Sequence, residues 1–297
     1  MKHFHNLSEL HDVLGIAPPE HPLFSVLQGD EQSTCGSELE FTSDFYFIGL
    51  RKMRSGSMLY GKTKYDHDRG SLAFFKPNQH VSFNNIKLQE RGFVIYIHQD
   101  YITGTSLFND ISKYSFFDYE INEALHLTPA EEIIIWELYN RIEAEYNNNI
   151  DEFSKTIMLS HVDSILKYSD RFYRRQFINR KEISGATATK FTALLQQYST
   201  EDMLYENGMP NVQSMAEQLH LSARYLSDLL KQETGKTAIE LIHIFLISQA
   251  KNMLSDKEKN IAEIAYTLGF DNPTYFSRLF KREVGIPPNK FRKQLMN

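Results

Sequence analysis

One short helical pattern occurs twice in this chain, fifty residues apart. Residues 225–235 read YLSDLLKQETG and residues 275–285 read YFSRLFKREVG, with six of the eleven positions identical. Two of the remaining five positions exchange leucine for phenylalanine. Such an internal repeat indicates two copies of one supersecondary unit, so the fold of this region must accommodate both copies.

The repeat extends upstream of these two helices. MAEQLHLSARYLS aligns with IAYTLGFDNPTYFS, and the second copy has one additional residue at the turn. Each copy has a small alanine in its first helix, and Ser222 in one copy and Asn272–Pro273 in the other are typical helix starts. The pattern predicts two helix-turn-helix copies, at about 212–235 and 261–285.

The second helices of the two copies share an apolar face and differ on the polar face. The apolar positions are predicted to be core: Leu226, Leu229 and Leu230 in the first copy, and Phe276, Leu279 and Phe280 in the second. The polar positions are Arg224, Ser227, Asp228 and Lys231 in the first copy, and Thr274, Ser277, Arg278, Lys281 and Arg282 in the second.

The polar set has the chemistry of double-stranded DNA recognition. Arginine donates two hydrogen bonds to guanine O6 and N7, and serine and threonine form hydrogen bonds with bases or phosphates. An aspartate accepts a hydrogen bond from the cytosine amine. Lys231, Lys281 and Arg282 lie one helical turn further on, where phosphate contacts are expected. A solvated helix face is the alternative for each of these residues.

A long apolar helix is predicted between the two copies. It covers residues 238–254 and would be about 25 Å long at 1.5 Å per residue. Two recognition helices must lie about 34 Å apart to enter successive major-groove segments, which a rigid connector of this length plus the helix widths can satisfy. The stripe predicted to be core in this helix comprises Ile239, Ile242, Leu246, Ala250 and Met253.

The N-terminal part of the chain has a different hydrophobic pattern. Up to about residue 125, short aromatic and β-branched runs such as FTSDFYFIGL, SLAFF and GFVIYIH predict strands of a small sandwich or barrel. From Thr128, an N-cap followed by proline predicts a helix with Ile133, Trp136, Tyr139 and Ile142 at helical spacing.

The fold class predicted for the whole chain is α+β. A β-barrel with trailing helices from about residue 128 would occupy residues 1–180, a linker residues 181–190, and an all-α domain residues 191–297.

Charge is unevenly distributed along the chain. The formal net charge is −6, but residues 205–297 have 12 basic against 10 acidic residues. The segment 278–293 alone has six basic residues and one acidic residue, which is a local stripe able to attract phosphate.

The single cysteine, Cys35, excludes an internal disulfide. With no apolar run of signal-peptide or membrane-spanning type, we expect a cytoplasmic protein without membrane contact.

The C-terminal residues resemble a known family. From about Asn211 to Gln294, and above all in YFSRLFKREVGIPPNKFR, the chain is similar to the two-copy DNA-binding domain of the AraC/XylS transcription regulators. The resemblance implies DNA contacts by Thr274, Ser277 and Arg278 in the second copy. In the first copy it implies contacts by Arg224, Ser227 and Asp228, although family members often have a basic residue at the position of Asp228.

The N-terminal part resembles, more loosely, the cupin-like sensing and dimerisation domain that many members of this family carry. YDHDRGSLAFFKPNQH and FVIYIHQDYI are similar to its barrel strands. The resemblance implies a homodimer, a small-molecule effector, contact with RNA polymerase and, often, activation of transcription. Tyr60, Tyr65 and His80 are candidate lining residues of the effector pocket.

Sequence motifs of catalysis are weak or missing. The chain has no glycine-rich phosphate loop, no His-Glu-X-X-His pair and no serine nucleophile elbow, so we predict no catalytic residues, no cofactor and no enzyme activity. His67, His80 and His98 occur singly, and His3 and His5 lie at an N-terminus expected to fray, so no metal site is predicted. Two alternatives stay open: a regulator controlled by a protein partner, and a cupin-type metalloenzyme fused to a DNA-binding domain.

Overall fold

A computed structural model describes most of the chain. The described residues are 2–29, 34–35, 39–51, 53–60, 63–64, 71–88, 91–119, 123–148, 151–184, 187–198, 204, 208–256 and 259–295. They divide into two compact units, an N-terminal unit of Met1–Gln176 and a C-terminal unit of Phe177–Asn297.

The N-terminal unit contains two β-sheets. Its strands are β1 Lys2–Phe4, β2 Phe24–Gly29, β3 Thr34–Cys35, β4 Leu39–Ser43, β5 Phe45–Arg51, β6 Met53–Tyr60, β7 Thr63–Lys64, β8 Ser71–Phe75, β9 Val81–Leu88, β10 Gly92–His98 and β11 Leu125–His126. The first sheet has the order β1-β4-β9-β6-β7, with β3 also paired to β9, and the second has the order β11-β8-β5-β10-β2. Pairing is antiparallel except between β1 and β4, where His3 lies opposite Thr42.

The prediction of a closed barrel is wrong for the strands that the structure describes. The described strands form two separate sheets, and aromatic side chains of both pack in the space between them. The buried cluster takes residues from β1, β4 and β9 of the first sheet and from β5, β8 and β10 of the second: Phe4, Phe41, Val81, Phe45, Phe47, Phe75, Val94 and Tyr96. Phe47 and Phe75 stack with ring centroids 4.7 Å apart.

The second sheet is covered on both faces, which explains its continuous hydrophobic runs. All seven residues of β10 are buried. Val94 and Tyr96 face the cluster between the sheets, whereas the ring of Phe93 stacks on Tyr139 of the first long helix at 4.2 Å. The strands predicted from FTSDFYFIGL, SLAFF and GFVIYIH are confirmed.

Helices complete the N-terminal unit. They are α1 Leu7–Leu14, α2 Gln99–Ile102, α3 Ser106–Ile111, a 3-10 turn Ser115–Asp118, α4 Pro129–Tyr146 and α5 Ser154–Ser184, the last continuing into the C-terminal unit. The predicted start of α4 is confirmed, because Thr128 and Glu131 form a reciprocal capping box. Its buried stripe runs through Ile135, Tyr139 and Ile142, whereas Ile133 is 60% exposed.

The C-terminal unit is entirely helical in its described residues. After the end of α5 it contains α6 Thr187–Gln197, α7 Val212–Gln218, α8 Ala223–Thr234, α9 Ala238–Met253, α10 Ile261–Thr267, α11 Pro273–Val284 and α12 Pro288–Leu295. The mixed α+β class and the two predicted helix-turn-helix copies are therefore observed, as α7–α8 and α10–α11. No helix among the described residues combines the length and the apolar character needed to span a bilayer.

The connector α9 keeps most of its predicted core stripe. Ile242, Leu246 and Ala250 are fully buried and Met253 is 9% exposed. The prediction that Ile239 is also core is wrong, because Ile239 is 41% exposed in the first turn of the helix. Ala238 and His243, on the neighbouring helical rows, are buried instead.

Candidate nucleic-acid interface

The two helix-turn-helix copies are built by the same local devices. In each, the turn contains a residue with positive φ, His220 at 55° in the first copy and Gly269 at 82° in the second. The second helix then begins at an N-cap whose side chain accepts a backbone N–H: Ser222 accepts from Tyr225, and Asn272 accepts from Thr274. Gly235 and Gly285 end the helices in the left-handed conformation.

The predicted core faces of α8 and α11 are confirmed. The side chains of Leu226, Leu229, Leu230, Phe276, Leu279 and Phe280 are at most 2% exposed. Their burial leaves the opposite face of each helix to solvent, which is where the candidate DNA-contacting residues lie.

The polar face of α11 is open and basic. We use "α11 polar face" for Thr274, Ser277, Arg278 and Lys281. Thr274, Arg278 and Lys281 are exposed and Ser277 is half-buried. Among the residues that the structure describes, neither Arg278 nor Lys281 forms an ion pair, so both cations are available to an anionic partner.

Arg282 takes a different direction from the other basic residues of α11. Its Nε lies 2.9 Å from Glu283 Oε1, and its Nη2 lies 3.3 Å from His243 Nδ1 on α9. A guanidinium only donates, so this His243 nitrogen is the acceptor. Burial, and next the charge of Arg282, lower the pKa of His243 below its ordinary value of 6.5 and favour the neutral ring. Arg282 thus lies against α9, beside a cleft of about 380 Å³ that Lys236 and Glu240 also line.

The polar face of α8 is partly occupied by contacts within the protein. Arg224 Nε lies 3.5 Å from Asp228 Oδ2 across one helical turn, so these two charges offset each other. Ser227 Oγ accepts from the N–H of Ala238, at the start of α9, at 3.4 Å. Lys231 is exposed in the last turn.

The repeat explains why Ser277 lacks the contact that Ser227 makes. Fifty residues after Ala238 the chain has Pro288, at the start of α12. Proline has no backbone N–H, so the donor that engages Ser227 has no counterpart in the second copy. The Ser277 hydroxyl is therefore not engaged by the following helix in this way.

The candidate residues of the N-terminal unit lie largely outside the described residues. The side chain of Tyr60 and the whole of Tyr65 and His67 lie outside the described residues. His80 is half-exposed with Nε2 3.9 Å from Glu40, and His98 Nδ1 accepts from the N–H of Asp100. The structure brings together a different group, His3, His5 and Asp44, which the sequence did not predict. The His-Phe-His pattern could have indicated part of it, because alternate residues of a strand point to the same side.

Comparison with known proteins supports the reading of the C-terminal helices. Residues 215–294 match the model of a helix-turn-helix domain family. The chain is similar to the HTH-type transcriptional activator RhaS of Salmonella schwarzengrund (strain CVM19633) and to that of Salmonella arizonae, each 32% identical over 110 residues. These residues are 37% of this chain and 37% of each relative, so the match spans little more than a third of the curated relatives' length.

Solved structures are also similar to this chain, over shares that differ widely. One is the C-terminal domain of AraT, a response regulator from Geobacillus stearothermophilus, with 33% identity and a TM-score of 0.30 over 35% of this chain and 80% of that one. Another is the DNA-binding domain of AdpA in complex with a target DNA, with 20% identity and a TM-score of 0.30 over 34% and 89%. An apo ToxT variant from Vibrio cholerae covers 92% of this chain and 98% of its own, at 16% identity and a TM-score of 0.30.

The fold and the matched residues define the C-terminal unit as a tandem helix-turn-helix DNA-binding domain. This domain is of the AraC/XylS type. The family resemblance predicted from the sequence is confirmed for this part of the chain.

Proposed function

We propose that the protein is a sequence-specific transcription regulator that reads double-stranded DNA with α8 and α11. The observation that carries the proposal is the α11 polar face, which presents two exposed cations beside two hydroxyl groups on a helix whose other face is buried. Neither cation forms an ion pair with another described residue. This is the arrangement that a major-groove reader requires, with Arg278 for a base edge and Lys281 for phosphate.

The two copies should contribute unequally. On α8, Asp228 offsets the charge of Arg224, and Ser227 accepts a hydrogen bond from the start of α9. Among the predicted contacts of α8, this leaves Lys231 as the cation whose charge is not offset. We propose that α11 supplies most of the sequence-dependent affinity and that α8 mainly sets position and register.

Selection of genomic fragments tests this function. The purified full chain is mixed with fragmented genomic DNA, and the retained fragments are sequenced. We expect enrichment of a motif with two conserved segments about one helical turn, or 10–10.5 base pairs, apart. The Arg278→Ala, Lys281→Ala double variant should lose conservation in one segment, whereas Lys190→Ala on α6, outside both copies, should retain the motif. Retention of fragments with no shared sequence would contradict the proposal.

The N-terminal unit is proposed to control the DNA-binding domain. Support comes from the loose resemblance to cupin-like sensing domains and from the names of the relatives, which are transcriptional activators. We propose a cytoplasmic homodimer that responds to a small-molecule effector and activates transcription through RNA polymerase. The effector is tested by repeating the fragment selection with and without an extract of small metabolites. If metabolites leave the amount of retained DNA unchanged and a co-purifying protein changes it, control by a protein partner is favoured.

A further inference from the structure

The described part of the N-terminal unit brings three potential metal ligands together at the edge of the first sheet. His3, His5 and Asp44 each offer a donor atom within 4.8 Å of the others. His3 Nε2 lies 3.1 Å from Asp44 Oδ1, and His5 Nδ1 lies 2.8 Å from Asp44 Oδ2. We propose that these three side chains bind one divalent first-row transition-metal ion. This inference is independent of the proposed function.

The backbone holds the three ligands in place. His3 lies in β1, which pairs in parallel with β4, and its alternate neighbour His5 follows directly. Asp44 occupies the single-residue corner between β4 and β5. Its N–H donates to the carbonyl of Phe4 at 3.1 Å, and its own carbonyl accepts from Gln99 at 3.1 Å. The backbone of Asp44 is therefore held on both sides, which limits where its carboxylate can lie and reduces the ordering needed on binding.

The ring of His3 is already oriented for ligation. Its Nδ1 lies 2.7 Å from the hydroxyl of Thr42, the residue opposite His3 in the sheet. A metal-bound histidine commonly donates its other ring N–H to a neighbouring acceptor, which selects the tautomer and the ring direction. Without an ion, His3 Nε2–H donates to Asp44 Oδ1 at 3.1 Å. An ion that replaces this proton would meet the Nε2 lone pair, and Nδ1–H could then donate to Thr42.

The donor set selects the class of ion. Two imidazole nitrogens and one carboxylate oxygen suit Zn²⁺, Co²⁺, Ni²⁺ or Fe²⁺, whereas Mg²⁺ and Ca²⁺ prefer oxygen ligands throughout. Bonds of 2.0–2.1 Å in a tetrahedral site separate ligand atoms by about 3.3 Å. His3 and His5 approach different oxygens of Asp44, at 3.1 Å and 2.8 Å, and all three donor groups lie within 4.8 Å of one another. Side-chain rotations would have to bring the donor atoms to the tetrahedral separation.

An ion can reach the site from solvent. The side chain of His5 is 74% exposed, that of His3 29% and that of Asp44 18%. Three protein ligands leave one tetrahedral position for water or for a ligand from outside the chain. The partly buried carboxylate supplies charge, and the exposed imidazole can move onto the ion without disturbing the core.

Titration with Co²⁺ and Zn²⁺ tests the site. The full chain, prepared without a histidine tag and stripped of metal, is titrated with Co²⁺ while visible absorption is recorded, and Zn²⁺ is then used to displace it. We expect one ion per chain, displaced by Zn²⁺ but not by millimolar Mg²⁺. His5→Gln and Asp44→Asn should each weaken binding at least 100-fold, and Thr42→Val about 10- to 100-fold.

A matched histidine and a stability measurement keep the test decisive. His80→Gln, at a half-exposed histidine of the same unit, should bind like the unaltered protein. His5 is exposed, so His5→Gln should melt at the unaltered temperature in chelator while losing the upward shift that Zn²⁺ gives the parent. Binding that is unchanged in His5→Gln, displacement by Mg²⁺, or no bound ion would each overturn the proposal.

Discussion

At the centre of the repeated helix, Arg278 and Asp228 occupy equivalent positions with opposite charge. Arg278 is exposed and without an ion pair among the described residues, whereas Asp228 lies 3.5 Å from Arg224. Because DNA presents a dense row of negative charges, the first helix gains little from its arginine while the aspartate stays beside it. Under the proposed function, this exchange would make the two similar helices contribute unequally to DNA binding.

Arg278→Ala should lower specific affinity by about 1–3 kcal/mol, since an arginine positioned for a guanine edge contributes that much discrimination. Fluorescence anisotropy on a selected genomic fragment and on a random duplex measures both affinities. Arg174→Ala, at an exposed arginine on α5, is the control. An equal loss on both duplexes would show that Arg278 contacts only phosphate.

Asp228→Asn should raise non-specific DNA affinity by roughly three- to ten-fold at 0.1 M salt, because it removes a repulsive charge and frees Arg224. The same titration on random duplex at several salt concentrations checks this, and Glu137→Gln on α4 makes the same charge change away from both copies. A large loss limited to one base position would instead indicate that Asp228 reads cytosine.

At the scale of the element, the turn between the paired helices needs a left-handed residue in each copy. In the first copy His220 adopts it, and in the second Gly269 does. The second turn is also crowded: a Cβ on Gly269 would lie 2.4 Å from the backbone nitrogen of Met209. The glycine is thus required both by φ and by close packing against the segment that leads into the first copy.

Gly269→Ala should destabilise the protein by more than about 3 kcal/mol, because left-handed strain of about 1–2 kcal/mol adds to a clash with backbone that cannot rotate away. Gly285→Ala is the matched control, since its φ of 88° is similar but no atom lies within 4 Å of the new Cβ. Urea unfolding followed by circular dichroism gives both free energies of unfolding. Equal losses would mean that the Met209 segment shifts at little cost.

At the scale of the whole molecule, three partly buried histidines make stability depend on pH. Burial lowers the pKa of His21, His161 and His243 below the ordinary 6.5, assisted by the charges of Lys155, Arg141 and Arg282 respectively. The unfolded chain then binds more protons than the folded chain just below pH 6.5. Stability is therefore complete above this pH and falls as the pH decreases through the folded-state pKa values.

The melting temperature should consequently decrease between pH 7.5 and pH 5. His243→Gln keeps an acceptor for Arg282 but cannot take up a proton, so its melting temperature should change less over the same range. Thermal unfolding in buffers of constant ionic strength measures both curves. Parallel curves for the two proteins would show that His243 does not contribute to the pH dependence.

Much of the C-terminal unit could be predicted from sequence because its signals are local. Caps such as Ser222 and Asn272, the glycines after α8 and α11, and the apolar spacing on each helix act within a few residues. The prediction for Ile239 failed because the neighbouring element decides burial: Ile239 has helical spacing but lies one residue from the face that tertiary packing covers. In the N-terminal unit, strands were predicted correctly, whereas their closure into a barrel was not.

The sequence alone determined the repeat, the helix boundaries and the polar composition of the two recognition helices, because these depend on spacing and local hydrogen bonds. Only the tertiary structure decided which of those polar groups remain available. Ser227 accepts from the start of α9, Arg282 lies against His243, and Pro288 leaves Ser277 without the donor that Ser227 has. It also brought His3 and His5 to Asp44 across about forty residues, since a strand pairing between distant segments has no local signature in the chain.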